Sequence, residues 1–362
     1  HNSIHSLRID REDNLWIGTE NGGLNKFIEN KQNIVQSTFI RYTHDVNNPQ
    51  SISNDTPCAI YKDAQGNLWV GAYRGGVNLS VKHQKKFLHY KSEPNNPQSL
   101  SHNTVQAIFE DRDNNIWIGT DGGGLNRYLP ETNSFDHFNH DKKDPQSLTS
   151  DHVLAICEAD NNHLWIGTWE GLDLFNRTTE RALHFQFDQD TCQIIGLNNI
   201  NFLLKDRRNN LWIATNGGLM HMDHKNILVN IFRHLPYNSS TLSNNCVYTL
   251  FEDTKGNLWI GTNWGLNLLP VEERAVHNYS FIRFVENGPN TIRGSSISFI
   301  YEDSRNNLWI GTNKGLNLYH PTLNNFTCYT MHDGLPSDWI KNMREDRQGN
   351  LWITTKNGLS RF

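Results

Sequence analysis

The chain reads as an all-β protein assembled from repeated four-stranded antiparallel units, and three observations carry that reading. A phrase centred on tryptophan returns at Trp16, Trp69, Trp117, Trp165, Trp212, Trp259, Trp309 and Trp352, at intervals of 53, 48, 48, 47, 47, 50 and 43 residues. Between the phrases, short apolar runs rich in Val, Ile, Phe and Trp alternate with Gly, Asn and Asp clusters, and none of the runs reaches helical length. Those eight tryptophans are most of the 11 in the chain. A period of this kind marks an array of small units, none of which buries its apolar face alone.

One unit, residues 103 to 138, shows how the period is built. Val105 to Glu110 reads as a first strand, Ile116 to Thr120 as a second, Gly124 to Tyr128 as a third and Phe135 to Phe138 as a fourth. Four short antiparallel strands per repeat make one blade of a β-propeller. The recurring positions have structural uses. Asp111 and its equivalents Asp10, Asp63, Asp206, Asp253, Asp303 and Asp346 sit between strands one and two, where a carboxylate accepts the N–H groups of the turn. Asn115 and its equivalents end that turn and are expected to take its positive φ. The Trp offers a flat face for packing between blades, and its indole N–H is expected to meet a carbonyl. Gly119 and its equivalents let strands approach closely, and a second set, Gly23, Gly76, Gly124, Gly171, Gly218, Gly265, Gly315 and Gly358, opens the third strand. The fourth copy departs, with Ala159 in place of the Asp, Asp160 displaced by one and His163 in place of the Asn, so its turn should differ.

The chain offers eight copies of strands one to three and seven of the outer strand, the last being Phe326 to Tyr329. Burial favours eight blades, because seven would leave the hairpin from Ile340 to Phe362 without a partner, exposing Trp352 and Leu359. The alternative is seven blades and the start of a second propeller. Either way residues 1 to 362 read as a single propeller domain, since a closed propeller runs past the usual domain size.

Composition removes several classes. The net charge of −5, with 20% charged residues and no Lys/Arg cluster, argues against nucleic acid. No apolar run approaches the roughly 20 residues that cross a bilayer. The chain begins at His1 inside the first strand pattern, so any export signal is removed or lies upstream. Cys58, Cys157, Cys192, Cys246 and Cys328 fall in different repeats without metal-ligand spacing and read as small buried hydrophobes. The histidines His44, His89, His137, His140, His184 and His234 read as surface and edge residues. In His221-Met222-Asp223-His224, two histidines three apart on a strand point to opposite faces, which argues against a metal site.

The pattern Val-x-x-Ile, Glu-Asp, Asn-Leu-Trp-Ile-Gly-Thr and Gly-Leu-Asn resembles the two-component regulator propeller repeat, over essentially the whole chain. Segments such as Asn48-Pro49-Gln50-Ser51, Asn96-Pro97-Gln98-Ser99 and Asp144-Pro145-Gln146-Ser147 resemble that family's linkers. The resemblance implies the extracytoplasmic, periplasmic sensing region of an inner-membrane signalling protein, a hybrid histidine kinase or a diguanylate cyclase. Several members recognise polysaccharide fragments, so it also implies an oligosaccharide or other small-molecule ligand. The family's transmembrane helix, kinase and receiver domains and its Tyr-rich sandwich domain are absent from the sequence, and a sensor fragment is expected.

In a scaffold of repeats, the residues that break the repeat carry function. Propeller ligands bind at one mouth, on loops joining strand two to three and each blade to the next. The first of these turns needs only turn formers, as in Asn216-Gly217, yet it carries Tyr73-Arg74, Trp169-Glu170, Asn263-Trp264 and Asn313-Lys314. Aromatic faces stack on the C–H groups of a sugar ring while nearby polar groups read its hydroxyls. Tyr73, Arg74, Trp169, Glu170, Trp264, Lys314 and Trp339 are therefore the candidate ligand-binding residues. The competing reading, that Trp169 and Trp264 fold over adjacent blades, weighs about equally; for Trp339, packing beneath the linker His332-Asp333-Gly334-Leu335-Pro336 is favoured. No catalytic, metal or cofactor residues are assigned, since an enzyme requires converging acid and base groups. The alternatives are a protein-interaction scaffold, including a homodimer, and, less favoured, a polysaccharide-degrading propeller enzyme.

Overall fold

The aspartate at the head of each Trp phrase fixes where the innermost strand ends and the second begins. A computed structural model describes residues 3–30, 36–82, 87–185, 196–276, 279–287 and 291–362. In it the Asp111 carboxylate accepts the backbone N–H groups of Asp113 (3.0 Å) and Asn115 (2.9 Å) and the side-chain amide of Asn115 (3.0 Å). It also accepts the indole N–H of Trp117 at 2.8 Å. Carboxylate-to-indole bonds of 2.8 or 2.9 Å likewise join Asp10 to Trp16, Asp63 to Trp69, Asp206 to Trp212, Asp253 to Trp259 and Asp303 to Trp309. In these six copies the indole N–H thus meets the clamp itself rather than the expected carbonyl, which gives a buried donor a charged acceptor.

Positive φ also falls one residue earlier than the sequence suggests. It is carried by Asp13, Gly66, Asn114, Asn209, Gly256, Asn306 and Gly349, while the recurring Asn spends its amide on the carboxylate. The fourth copy does turn differently. Ala159 is buried at the clamp position, and Asp160 accepts the N–H groups of Asn162 (2.8 Å) and His163 (3.0 Å) and faces the His163 ring at 2.9 Å.

Each such turn joins the first two strands of an antiparallel sheet, and among the described residues there are eight sheets. They are called blades 1 to 8, spanning 4–42, 57–90, 105–138, 153–185, 200–232, 247–284, 297–329 and 340–361. Blade 3 is typical, with Val105–Glu110, Ile116–Thr120, Leu125–Leu129 and Ser134–Phe138 paired in consecutive order. The first seven blades have four strands; blade 8 has three, Ile340–Glu345, Leu351–Thr355 and Gly358–Arg361. The fold is a β-propeller of eight blades. The eighth hairpin is a packed blade and not the start of a second ring, because Trp309 of blade 7 is buried against its Ile340, Met343, Leu351 and Ile353. One turn of α-helix, Val271–Ala275, interrupts blade 6 between its third and outer strands, which the strand-only sequence pattern did not suggest. No helix among the described residues is long and apolar enough to cross a membrane.

The chain divides into two compact units. The first comprises His1–Ile166, Asp173–His184 and Asp346–Asn350; the second comprises Gly167–Leu172, Phe185–Glu345 and Leu351–Phe362. In the first, Trp69 packs on Ile116, Ile118 and Phe135 of blade 3, and Trp117 on Val153, Leu164 and Ile166 of blade 4. In the second, Trp212 packs on Leu258 and Ile260 of blade 6, and Trp259 on Ile297, Leu308 and Ile310 of blade 7. Truncating such a ring in a core costs about 3–5 kcal/mol. The glycine two residues after the Trp makes this approach feasible. A Cβ on Gly71 would lie 2.8 Å from Val105 Cγ1, and one on Gly261 2.7 Å from Ile297 Cγ2.

Polar ties accompany the apolar ones. The glutamate that ends an inner strand reaches back to the clamp turn of the blade before it. Glu110 accepts from Ala64 N (2.9 Å), Glu252 from Arg207 N (2.9 Å), Glu302 from Thr254 N (2.7 Å) and Glu345 from Ser304 N (2.6 Å). Within the first unit, Arg347 N donates to Asp13 Oδ1 at 3.0 Å. The asparagine of Gly-Leu-Asn is buried and fastens the linker entering its blade: Asn78 accepts from Ser53 N (2.7 Å), Asn126 from Ser101 N (2.9 Å) and Asn267 from Ser243 N (2.7 Å). Several histidines read as edge residues are linker staples. His44, His140 and His234 meet the carbonyls of Ile52, Leu148 and Leu242 at 2.7–2.9 Å, and His184 meets that of Ser147 at 2.6 Å. Cys58, Cys246 and Cys328 are half-buried thiols rather than fully buried ones, and burial raises the pKa of Cys58 and pushes that of Cys328 up to about 11. Cys192 lies outside the described residues.

The clamp geometry makes a quantitative prediction. Asp253→Ala should cost about 1–3 kcal/mol in a urea titration, because the N–H groups of Lys255 and Asn257 and the indole of Trp259 lose their common acceptor.

Two kinds of buried carboxylate should also oppose one another as pH changes. Burial alone would raise the pKa of Asp10, Asp111, Asp206 and Asp303, but bonds from the tryptophan, the asparagine and, for the first three, Lys62, Arg177 or Arg274 hold all four low. Their contribution is complete above the ordinary carboxylate pKa of about 4 and is lost as pH falls below it through the folded values. Asp173 of blade 4 stands where five other blades have asparagine. It is fully buried, accepts from Thr149 N at 2.8 Å and from the Thr149 hydroxyl, and has His184 at 3.8 Å and His140 nearby. Desolvation raises its pKa despite these contacts, so its ionisation costs stability as pH rises through the folded value. Calorimetry from pH ~3 to ~7 should show wild type losing stability at the acid end, and Asp173→Asn gaining over wild type as pH rises above about 4. A gain that did not grow with pH would contradict the ionisation argument.

Candidate ligand-binding face

In an antiparallel blade the clamp turn and the connection from third to outer strand share one end, so the turn from second to third strand and the blade-to-blade linker share the other. This second end is built by one repeated contact. The residue that opens the turn donates its N–H to the residue preceding the inner strand: Glu20 to Ser3 (2.8 Å), Tyr73 to Thr56 (2.9 Å), Asp121 to Thr104 (2.9 Å), Asn263 to Cys246 (3.0 Å) and Lys356 to Trp339 (2.9 Å). The threonine of Gly-Thr closes the turn with its hydroxyl, as Thr262 does on Gly265 O at 2.7 Å and Thr355 on Gly358 O at 3.0 Å. Blade 2 has Ala72 there and turns without it.

The turn is thereby set by backbone and, where present, threonine, and several of the side chains that cap it are exposed. Of the candidate residues, Trp169, Glu170, Trp264, Lys314 and Trp339 lie in the second unit, and Tyr73 and Arg74 in the first. The aromatic rings are exposed: Trp264 at 64%, Tyr73 at 47%, Trp169 at 45% and Trp339 at 43%. Trp339 is thus not packed away beneath its linker, the reading the sequence favoured. That linker supports itself instead, with Asp333 accepting the N–H of Thr330 (2.8 Å) and Asp338 that of Met331 (2.7 Å). Arg74 holds positive φ, with its guanidinium 5.2 Å from the Tyr73 ring centre. Lys314 is bridged to Glu286 at 2.9 Å.

The innermost strands add residues that sequence reasoning missed. A bulge near the same end turns one residue of each inner strand out of register: His5, Cys58, Gln106, Asn201, Tyr248, Ser298 and Lys341 occupy it. Tyr248 is exposed there, and Asn201 is tied to Asn216 Oδ1 and Val247 O, both at 2.8 Å. The signal for these positions is one of register: a bulge shows only as a slip in the alternation of the strand, which the Trp period conceals.

A second concavity, of about 440 Å³, lies on the flank of the second unit, lined by Arg208, Trp212, His221, His224, Arg274 and Tyr279 among others. His221 stacks on Trp212 with ring centres 4.2 Å apart, and Arg274 is engaged by Asp206 (2.5 Å) and Glu252 (3.0 Å). His221 and His224 line the same cavity, contrary to the expectation of opposite faces, because the strand ends at Met222 and the chain turns before His224. Among the described residues no group of three or more His, Cys, Asp or Glu is placed to hold a metal ion.

Eight segments, 1–21, 51–74, 99–122, 147–170, 195–217, 241–264, 291–314 and 334–357, match the family described as two component regulator propeller. Together they make up more than half of the sequence, and the chain belongs to that family. No curated protein is significantly similar to it. Among solved structures, the extracellular domain of BT3049 from B. thetaiotaomicron, described as a hybrid two component system, is 22% identical with a TM-score of 0.63, over 100% of this chain and 51% of that one. PorZ of Porphyromonas gingivalis, described as a surface component of the type-IX secretion system, is 14% identical with a TM-score of 0.61, over 99% of this chain and 52% of that one. A streptogramin B lyase is 11% identical with a TM-score of 0.54, over 88% of this chain and 95% of that one. At these identities the likenesses show the fold, and the chain spans about half the length of the first two.

Proposed function

We propose that this member of the two component regulator propeller family is the ligand-binding sensor module of a membrane-anchored signalling protein, exposed on the periplasmic side, and that it takes a carbohydrate or oligosaccharide. The observation that carries the reading is the exposure of Trp169, Trp264 and Trp339 on one unit, at the end of their blades where the turn is already satisfied by backbone and threonine. Large apolar rings left in water at positions that need only turn formers are stacking surfaces, and sugars present the C–H faces that such rings accept. The description of BT3049 as the extracellular domain of a hybrid two component system accords with the sensor reading.

The reading is of binding without turnover. The recurring aspartates of this chain are held in clamp turns at the other end of their blades, each engaged by turn amides and, in six copies, by an indole. They are not free to act as a general acid and base pair.

A glycan array followed by calorimetric titration of the best hit tests this. Trp264→Ala and Trp169→Ala should each weaken binding about tenfold or more while changing folding stability by no more than about 0.5 kcal/mol. Absence of binding to any glycan at about millimolar concentration would sink the carbohydrate reading, and release of new reducing ends would replace it with an enzyme.

A further inference from the structure

The repeated N–H to carbonyl contact at this end of a blade brings three side-chain positions together: the residue before the inner strand, the bulge residue two further on, and the residue that opens the turn. In blade 1 they are Ser3, His5 and Glu20, and the last two pair with one another at 3.7 Å. In blade 5 they are Asn199, Asn201 and Asn216, tied by an amide-to-amide bond of 2.8 Å. In blade 8 they are Trp339, Lys341 and Lys356. The Lys341 ammonium lies 4.7 Å and the Lys356 ammonium 5.2 Å from the centre of the Trp339 ring.

Neither lysine has a carboxylate within salt-bridge reach among the described residues, although the chain as a whole is acidic, with a net charge of −5. Lys314 at this end, by contrast, is bridged to Glu286 at 2.9 Å. Two ammonium groups held against one aromatic ring repel each other and lack a counter-ion, so the cluster is completed by an anion rather than by a neutral hydroxyl. The exposed part of the Trp339 ring supplies an apolar surface beside that charge.

We infer that the blade 8 cluster is a subsite for a negatively charged sugar, with Trp339 against the ring and Lys341 and Lys356 on its carboxylate or sulfate. The inference rests on the carbohydrate reading and narrows it to acidic saccharides. Both sources of the anion share this chemistry, and the choice of probe separates them.

The test is calorimetric titration of the intact chain with three probes of equal length: an oligogalacturonide, a chondroitin sulfate oligosaccharide and a neutral galactan oligosaccharide. One acidic probe should bind about tenfold or more tightly than the neutral one, and that preference should shrink as salt is raised to about 0.3 M. The double variant Lys341→Gln with Lys356→Gln should lose the preference while its unfolding midpoint stays that of wild type. Trp339→Ala should weaken the acidic probe without removing its salt dependence. Neutral and acidic probes binding equally, or a preference that survives in the double lysine variant, would overturn the subsite. If the neutral probe binds and Trp264→Ala weakens it, the carbohydrate reading stands and only the acidic subsite falls; if the array and all three probes are blank, both fall.

Discussion

The contact on which the rest of this protein depends is the bond between a buried aspartate and the indole N–H of a tryptophan six residues later. A carboxylate at this depth must be compensated, and a tryptophan at the interface between sheets must find an acceptor for its one polar atom. Each solves the other's problem, and the turn amides saturate what remains of the carboxylate. Because the clamp fixes both the hairpin and the orientation of the ring, the face that Trp69 or Trp259 presents to the following blade is set by bonds within its own blade. The glycine two residues later and the glutamate reaching back to the preceding turn extend the same logic outward. One removes the side chain that would hold the sheets apart, and the other supplies an acceptor for a turn N–H that its own blade leaves unmet.

This arrangement divides the two ends of each blade by the kind of group that holds them. At the clamp end, side chains satisfy backbone, so their identity is fixed by folding. At the other end the turn is closed by N–H to carbonyl bonds and, in most blades, a threonine hydroxyl, so closure of the turn does not fix the identity of the capping side chains. That is why Trp264 can be largely exposed beside a buried Thr262. It is also why repeats agree closely at Asp253 and diverge at the residues after Thr262: only at one end does a substitution disturb the sheet.

Much of this was legible in the sequence, for reasons that also explain what was not. Strand positions in blade 3 follow from alternation and turn residues, which report local backbone, and they came out within one residue at each end. Partners are another matter. The asparagine of Gly-Leu-Asn recurs in five of the eight repeats, yet periodicity shows that Asn78 is needed without showing that Ser53, from the linker upstream, is what it holds. The same gap misplaced the positive φ of the clamp turn by one residue and gave the indole a carbonyl instead of a carboxylate. His221 and His224 were assigned to opposite faces by a strand rule applied past Met222, where the strand has ended. The exposure of Trp339 was missed because its linker looked long enough to cover it, and that linker caps itself through Asp333, while Asp338 repeats the contact that Asp55 and Asp151 make on the linkers of their blades.

Departures from a repeat carry weight in proportion to how tightly the repeat couples the positions concerned. A lone tryptophan at Trp169 breaks a pattern at one variable site, and its exposure is the whole of the argument. Asp173 is a stronger case, since it occupies a buried position where five other blades place Asn, and desolvation opposes its ionisation against the contacts of Thr149, His184 and His140. The blade 8 cluster is of a third kind: three positions that a single backbone contact forces together hold one aromatic ring and two like charges against it. The two ammonium groups repel one another, whereas blades 1 and 5 pair the same positions internally. Lys62 on Asp10 and Arg274 on Asp206 each meet a carboxylate, whereas Lys341 and Lys356 share one ring without one among the described residues, and the physical complement of that pair is an anion.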